Sequence, residues 1–392
     1  MIYSHVALLM LRVLTAVQQA AHAESDISSS AVHATKVARL PGEFQVGALL
    51  PIHRKGNSSS QGCGEIWEQY GMHRTEIMMK TIEEINKNPA LLPTIRLGLQ
   101  IRDSCWTERI AMEQTIQFLR GNLAQQQRTC AKEAEEEEEE QQSTLVAVLG
   151  PGSSSVSIAT QNLLQVFHTP QVGFSATSKE LSDKTQYKYF MRVVPSDSWQ
   201  AKAILDIVKH FGWSYIAVVY SEKSYGEKGF EELQRLINED DDVCIAVHAK
   251  VSSIGTDAEY DEVLETIGFH DPKPQVAVCF CEGRTVKGVF RAVKRQDKLM
   301  TDKSNGSFFD FQWIGSDGWA DRRDVVEDVE EYARGSISLR IHSPKVPGFE
   351  KHWLSLTSHN PKNPWWTEFW EHKFKCRLSE QRHNGRPLCN GQ

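Results

Sequence analysis

Apolar and polar positions alternate along the chain in two recurring patterns. Short apolar runs are typical of buried strands, and longer segments with apolar residues three or four apart are typical of amphipathic helices. The predicted strands are 44–51, 94–101, 145–149, the segment around Val172, 215–220, 243–251, 275–281 and 313–316. The predicted helices are 65–86, 107–123, 155–167, 199–211, 225–237, 260–267 and 284–293. This alternation predicts an α/β fold whose parallel sheets are covered by helices on both faces.

The length of the chain predicts two lobes, because 392 residues exceed the usual domain size of about 100–200. Ligands of such sheets bind at the carboxyl ends of the strands. Two segments depart from the pattern. Residues 125–142 have no apolar face and are predicted to form a solvated loop, and residues 361–392 read as loop and stop abruptly.

The net charge of −7 comes mostly from one acidic segment, since Glu133 and the residues 135–140 are all glutamates. Outside that segment the charges nearly balance, and no basic face points to nucleic acid.

The first 23 residues are predicted to be a secretory signal peptide. Residues 6–17 are largely apolar, and the sequence Ala21-His22-Ala23 fits a cleavage site, although Arg12 interrupts the apolar run. A membrane anchor or a misassigned start codon is the alternative. No later run reaches the roughly 18–20 apolar residues of a membrane span, so the chain as given is expected to be secreted or lumenal.

Eight cysteines fit an oxidising compartment, and disulfides are favoured over zinc because only Cys279 and Cys281 lie close in sequence. Asn57 and Asn305 lie in glycosylation sequons, which weakly support secretion.

Hydroxyl-bearing residues follow two neighbouring strands. Ser153, Ser154 and Ser155 open a helix after Gly150-Pro151-Gly152, where backbone N–H groups and the helix dipole favour an anion. Residues 175–178 (Ser-Ala-Thr-Ser) follow the next strand. A carboxylate or phosphate is the expected ligand, and simple helix capping by the serines is the alternative.

Acidic and aromatic residues stand at the ends of later segments. Asp197 and Asp317 are predicted to bind an ammonium group, with the ring of Tyr225 facing the same cation. Helix capping is the alternative, and it suits Asp197 better than Asp317. On spacing alone, Arg74 reads as a surface residue and Trp106 as a core residue.

Eight segments of the chain resemble the metabotropic glutamate receptors. They are 63–71 (CGEIWEQYG), 102–106 (RDSCW), 150–156 (GPGSSSV), 174–178 (FSATS), 192–197 (RVVPSD), 278–283 (VCFCEG), 314–322 (IGSDGWADR) and 363–365 (NPW). The resemblance runs from about residue 43 to 376, and two of the segments look most similar to the group I branch. It implies a type I periplasmic-binding-protein-like clamshell of two doubly wound parallel-sheet lobes, truncated at the carboxyl end.

The resemblance also implies a site for L-glutamate. Its α-carboxylate would be held at Ser154 and Thr177, and its side-chain carboxylate by Arg74. Its α-ammonium would be held by Ser175, Thr177, Asp197 and Asp317, with Tyr225 packed against it. The implied ligand-binding residues are Tyr70, Arg74, Trp106, Ser153, Ser154, Ser175, Ala176, Thr177, Asp197, Tyr225, Asp317, Gly318 and Arg322.

The resemblance pairs the cysteines as well. The implied disulfides are Cys63 with Cys105, Cys279 with Cys281, and Cys376 with Cys389. Cys130 would bridge two protomers of a homodimer, and Cys244 would bond to a cysteine-rich module beyond this chain.

These expectations divide the chain into a signal peptide (1–23), lobe one (36–191), lobe two (192–342) and an incomplete return to lobe one (343–392). The implied function is glutamate binding on the extracellular side of the plasma membrane, with G-protein coupling only through a membrane region that this chain lacks. A secreted amino-acid binder or decoy, and a dimerisation module without ligand, are the alternatives. No metal cluster, cofactor loop or nucleophile–base motif points to an enzyme.

Overall fold

A computed structural model describes residues 36–56, 62–128, 144–299, 309–379 and 385–389. The predicted signal peptide, Cys130, the glutamate run, Asn57 and Asn305 lie outside the described residues. The contacts divide the chain into two compact units, residues 1–144 with 353–392, and residues 145–352. We still expect the boundaries between the two lobes to fall at residues 191 and 342.

The first unit contains a mixed sheet and a hairpin. Its strands are β1 (Ala38–Leu40), β2 (Phe44–Leu50), β3 (His53–Lys55), β4 (Cys63–Ile66) and β5 (Leu97–Asp103). β5 lies between β1, to which it is antiparallel, and β2, to which it is parallel, while β3 and β4 form an antiparallel pair. Its helices are α1 (His73–Lys87) and α2 (Glu108–Arg128).

The second unit contains two groups of parallel strands. The first group is β6 (Thr144–Leu149), β7 (Gln171–Gly173) and β8 (Phe190–Arg192), which follow one another in the sheet. The second group is β9 (Tyr215–Ser221), β10 (Cys244–Val251), β11 (Val276–Phe280), β12 (Gln312–Gly315) and β13 (Ile337–Ser338). Its spatial order is β10-β9-β11-β12-β13, so the order reverses between β9 and β11.

Helices of the second unit connect these strands. They are α3 (Ser154–Leu164), α4 (Asp197–His210), α5 (Ser224–Asn238), α6 (Asp257–Gly268), α7 (Gly283–Leu299), α8 (Arg323–Val326) and α9 (Glu330–Ala333). Two further helices follow near the carboxyl end, α10 (Phe349–Ser355) and α11 (Trp366–Phe374).

The five-stranded sheet is covered on both faces. Along β9, Ile216 and Val218 pack into one apolar cluster, and Ala217 and Val219 pack into another. Alternate residues of a strand point to opposite faces, so each face of β9 supplies a core. The structure therefore has the predicted α/β fold, with parallel-dominated sheets of the periplasmic-binding-protein type.

Three sequence predictions of local structure are wrong. The helix predicted over 65–86 begins later, because Cys63–Ile66 pairs with β3 and a π-helical turn (Glu68–Met72) precedes α1. Residues 125–128 continue α2 rather than starting a loop. The segment predicted as loop beyond residue 361 contains α11, whose Trp366 and Phe369 are buried.

Candidate functional site

The amino end of α3 presents hydroxyl groups in a buried setting. Ser153 and Ser154 are buried, and Ser153, the residue before the helix, makes no capping hydrogen bond through its side chain. Ser154 Oγ accepts a hydrogen bond from the Ser178 N–H at 3.1 Å, which joins the loops after β6 and β7. In the described part of the chain its own proton has no acceptor, so it is available to a ligand. Ser153 therefore does not cap α3 through its side chain, as the alternative to anion binding would require.

Thr177 lies beside this helix end. Its hydroxyl is buried and has no hydrogen-bond partner among the described residues. A buried polar group without a partner is costly, so a ligand oxygen or water is expected to contact it. Ser175 is half-buried and Ala176 is fully buried in the same loop.

Asp197 stands at the start of α4, where it is fully buried. The helix is capped by Ser196, whose side chain accepts from the Ser198 N–H, so the alternative that Asp197 caps the helix is wrong. The Asp197 N–H donates to the carbonyl of Thr177 at 2.9 Å, and its Oδ2 has no hydrogen-bond partner among the described residues. The Asp197 carboxylate is thus adjacent to the loop that carries Thr177, where an anion is expected to bind.

A second carboxylate, Asp317, follows β12 close to the first. One side chain, Gln200, joins them: its Nε2 donates to Asp197 Oδ1 at 2.9 Å and to Asp317 Oδ1 at 3.0 Å. The buried hydroxyl of Tyr225 donates to Asp317 Oδ1 and accepts from the Gly318 N–H at 3.2 Å. These residues follow β9 and β12, beside the point where the strand order reverses. This is the usual ligand position in such sheets.

Burial controls the electrostatics of this carboxylate pair. Burial, followed by the charge of Asp317, raises the pKa of Asp197 well above its usual value, and the nearby Thr177, Gln200 and Arg192 lower it less. Burial also raises the pKa of Asp317, against the hydrogen bonds from Tyr225 and Gln200. No lysine or arginine in the described ranges forms an ion pair with either carboxylate within 4.0 Å. The pair therefore favours a cationic ligand.

Arg322 lies at the same end of the sheet. Its guanidinium binds both carboxylate oxygens of Asp324, at 3.2 and 2.9 Å, and donates to the Gly318 carbonyl at 3.2 Å. It is thus tied to the loop that carries Asp317.

In the first unit, three predicted site residues share one aromatic cluster. The Tyr70 ring stacks on Trp67 at 4.6 Å, and Trp106 meets both rings edge-on. The Arg74 guanidinium lies 4.4 Å from the centre of the Tyr70 ring, and that of Arg54 lies 4.3 Å from the Trp67 ring. Arg74 and Trp106 are half-buried, so the interpretation of Arg74 as a plain surface residue is wrong.

Sequence reasoning missed Gln200, Ser316 and Arg54. The spacing from Asp197 to Gln200 places them on the same face of α4, which was a usable signal. The contact between Gln200 and Asp317 joins residues 117 apart, and no local pattern predicts it.

The structure contains three disulfides, Cys63–Cys105, Cys279–Cys281 and Cys376–Cys389, which are the pairings that the resemblance implies. Cys244 is exposed and unpaired within the described part of the chain. His53, Asp103 and Cys105 lie close enough to suggest a metal site, but the Cys105 sulfur belongs to a disulfide and offers no thiolate.

A family model described as the receptor family ligand-binding region matches residues 78–382, more than half of the chain. The chain belongs to this family. The family consists of ligand-binding receptor domains and is not typically catalytic, and its extracellular character agrees with the three disulfides. Among the described residues, no helix of this receptor domain is both long and apolar enough to cross a bilayer.

Proposed function

We propose that this receptor domain binds L-glutamate and is the ligand-binding part of a metabotropic glutamate receptor of the group I type. The observation that carries the proposal is the pair Asp197 and Asp317 beside the hydroxyl groups at the start of α3. Within the described residues, neither carboxylate forms an ion pair within 4.0 Å. An α-amino acid carries an ammonium and a carboxylate on one carbon, and it needs a cation site and an anion site side by side.

The contacts support a role for each group. The α-carboxylate would accept hydrogen bonds from Ser154, Thr177 and the backbone N–H groups at the start of α3. The ammonium would donate to Asp197 and Asp317 and lie against the Tyr225 ring. Arg74 and Arg322 are the cations proposed for the side-chain carboxylate, because a planar guanidinium binds a carboxylate through two hydrogen bonds.

In the full-length receptor, ligand binding would favour closure of the lobes. The domain would lie on the extracellular side of the plasma membrane, in a homodimer linked through Cys130. Coupling to a G protein would require membrane-spanning segments outside these 392 residues.

The test is a calorimetric titration of the chain with L-glutamate. We expect Thr177→Ala and Asp317→Ala each to weaken binding by about 10–100-fold, because hydrogen bonds to charged groups are worth about 1.5–3 kcal/mol. Glu265→Ala is the matched control, since Glu265 is exposed on α6. D-Glutamate and glutarate, which lacks the ammonium, are the control ligands.

Equal losses in Thr177→Ala, Asp317→Ala and Glu265→Ala would contradict the site. Binding of glutarate as strong as that of L-glutamate would contradict the role of the carboxylate pair. A properly folded chain with no heat of binding for any acidic amino acid would contradict the proposed ligand.

A further inference from the structure

The loop before α3 is bound to the protein interior through its carbonyl oxygens. The fully buried Gln171, on β7, donates from Nε2 to the Gly150 carbonyl at 2.9 Å. The fully buried Ser157 hydroxyl, on the first turn of α3, donates to the Pro151 carbonyl at 3.0 Å. The Ser153 carbonyl accepts the Ser157 N–H at 2.9 Å. Three carbonyl groups of the loop therefore have donors inside the protein.

The Gln171 amide has the orientation that these contacts require. Its nitrogen also lies 3.2 Å from the Ser157 carbonyl and 3.1 Å from the Thr160 hydroxyl. Two of its three partners are carbonyl oxygens, which can only accept, so the contacting atom is the donating nitrogen. The Thr160 hydroxyl donates to the carbonyls of Val156 and Ser157 and accepts from the amide. The Gln171 side chain therefore connects β7 to both the loop and α3.

These contacts leave the N–H groups at the start of α3 for a ligand. The first N–H groups of a helix have no partner within it, and Ser153 supplies no side-chain cap. The C=O and N–H of a trans peptide point in opposite directions, so a carbonyl bound from the interior turns the next N–H away from it. The carbonyls of Pro151 and Ser153 thereby direct the N–H groups of Gly152 and Ser154 toward an incoming anion.

We propose that Gln171 and Ser157 are positioning residues, which hold the loop before α3 in the orientation that presents its N–H groups to a carboxylate. The proposal rests on the proposed function for the natural ligand, whose α-carboxylate is the group bound there. Both side chains are fully buried, so they act through the loop and not by contact with the ligand. They fix the N–H groups before the ligand arrives, so that binding does not have to order them.

Gln161 provides a matched control on the same helix. Its side chain is as fully buried as that of Gln171, but neither atom of its amide has a hydrogen-bond partner in the part of the protein that the structure describes. Gln161→Met and Gln171→Met thus remove the same group at the same depth, and only the second removes hydrogen bonds to the loop. Gln161→Met is expected to keep or raise the thermal unfolding midpoint, because it removes an unpartnered buried amide.

Sodium acetate is a carboxylate probe that does not depend on the natural ligand. Amide NMR spectra of the chain, recorded during an acetate titration at constant ionic strength, follow the N–H signals of Gly152, Ser153 and Ser154. We expect saturable shifts in the wild type and in Gln161→Met. Gln171→Met and Ser157→Ala should each raise the acetate dissociation constant by about 3–10-fold, which is what the loss of one hydrogen bond costs. Ser157→Ala is the smaller change and keeps the test open if Gln171→Met does not fold.

Calorimetric titration with L-glutamate should rank the four proteins in the same order. Acetate binding with this order, but no binding of L-glutamate, would refute the proposed function and still support the positioning role. Absence of acetate-dependent shifts at the three N–H groups of the wild type would overturn the inference. An unchanged acetate affinity in folded Gln171→Met or Ser157→Ala would overturn the role of that residue. An equal loss in Gln161→Met would show that packing, and not the orientation of the loop, is responsible.

Discussion

At the scale of single residues, His53 shows how much a buried ion network changes one side chain. The ring is almost completely buried between Asp103 and Glu368, with Nε2 2.9 Å from a Glu368 oxygen, and Lys36 lies 2.9 Å from the other oxygen. Burial disfavours the charged ring, but the two carboxylates outweigh it and raise the pKa of His53 to about 9. His53 therefore carries a proton at neutral pH and donates from both ring nitrogens.

This raised pKa predicts a pH-dependent contribution to stability. In the unfolded chain His53 has an ordinary pKa of about 6.5, so its stabilising effect is complete below that value and is lost as the pH rises through about 9. We expect His53→Gln to lower the free energy of unfolding by up to about 3 kcal/mol near pH 6, and by much less at pH 10. Urea unfolding at several pH values measures this difference.

His168→Gln is a suitable control, because His168 is exposed. A loss in His53→Gln that is the same at pH 6 and pH 10 would show that packing, rather than charge, is responsible.

At the scale of secondary structure, α5 packs against the sheet through glycines. A Cβ at Gly229 would lie 2.0 Å from the Phe280 ring, and a Cβ at Gly226 would lie 2.1 Å from the Ser221 carbonyl oxygen. The helix can therefore approach β9 and β11 only where side chains are absent. Because α5 begins one residue before Tyr225, this approach also positions the Tyr225 hydroxyl at Asp317.

We expect Gly229→Ala to displace α5 and to lower the free energy of unfolding by about 1–3 kcal/mol, the usual cost of overpacking. Glutamate affinity should fall as well, because Tyr225 moves with the helix. Thermal unfolding and calorimetric titration measure the two effects. Glu231→Ala, on the exposed side of the same helix, should change neither, and an unaffected Gly229→Ala would mean that the sheet yields instead.

At the largest scale, six of the cysteines in the described residues form three disulfides, and Cys244 is unpaired there. The Cys63–Cys105 bond closes 42 residues of chain, and the Cys279–Cys281 bond closes only 2. Longer closed loops restrict the unfolded chain more, so the first bond should contribute more to stability through this effect.

We expect alkylation of the native, unreduced protein to label Cys244 and to leave the three disulfides intact in peptide maps. Replacing Cys63 and Cys105 together by alanine should cost about 2–5 kcal/mol of unfolding free energy. Cys244→Ser should change stability little, since that side chain is exposed. Labelling of Cys63 or Cys105 in the native protein would contradict this pairing.

Local sequence patterns are sufficient to predict the α/β class and most of the strand and helix positions. Buried parallel strands such as 215–220 are continuous apolar runs, and helices such as 225–237 have apolar residues on one face, so local patterns suffice. The hydroxyl-rich loops and both aspartates were also predictable, because they stand at strand and helix ends. Helix α11 was missed since its aromatic and charged residues have no clear period.

The interactions between these residues become visible only in the folded protein. Gln200 joins two carboxylates from different elements, and His53 lies between Asp103 and Glu368, which are 50 and 315 residues away in the chain. Hydrogen bonding, burial and the resulting pKa changes depend on distances through space, whereas a sequence pattern contains only distances along the chain. The residue types of the site could therefore be predicted, but their coupling could not.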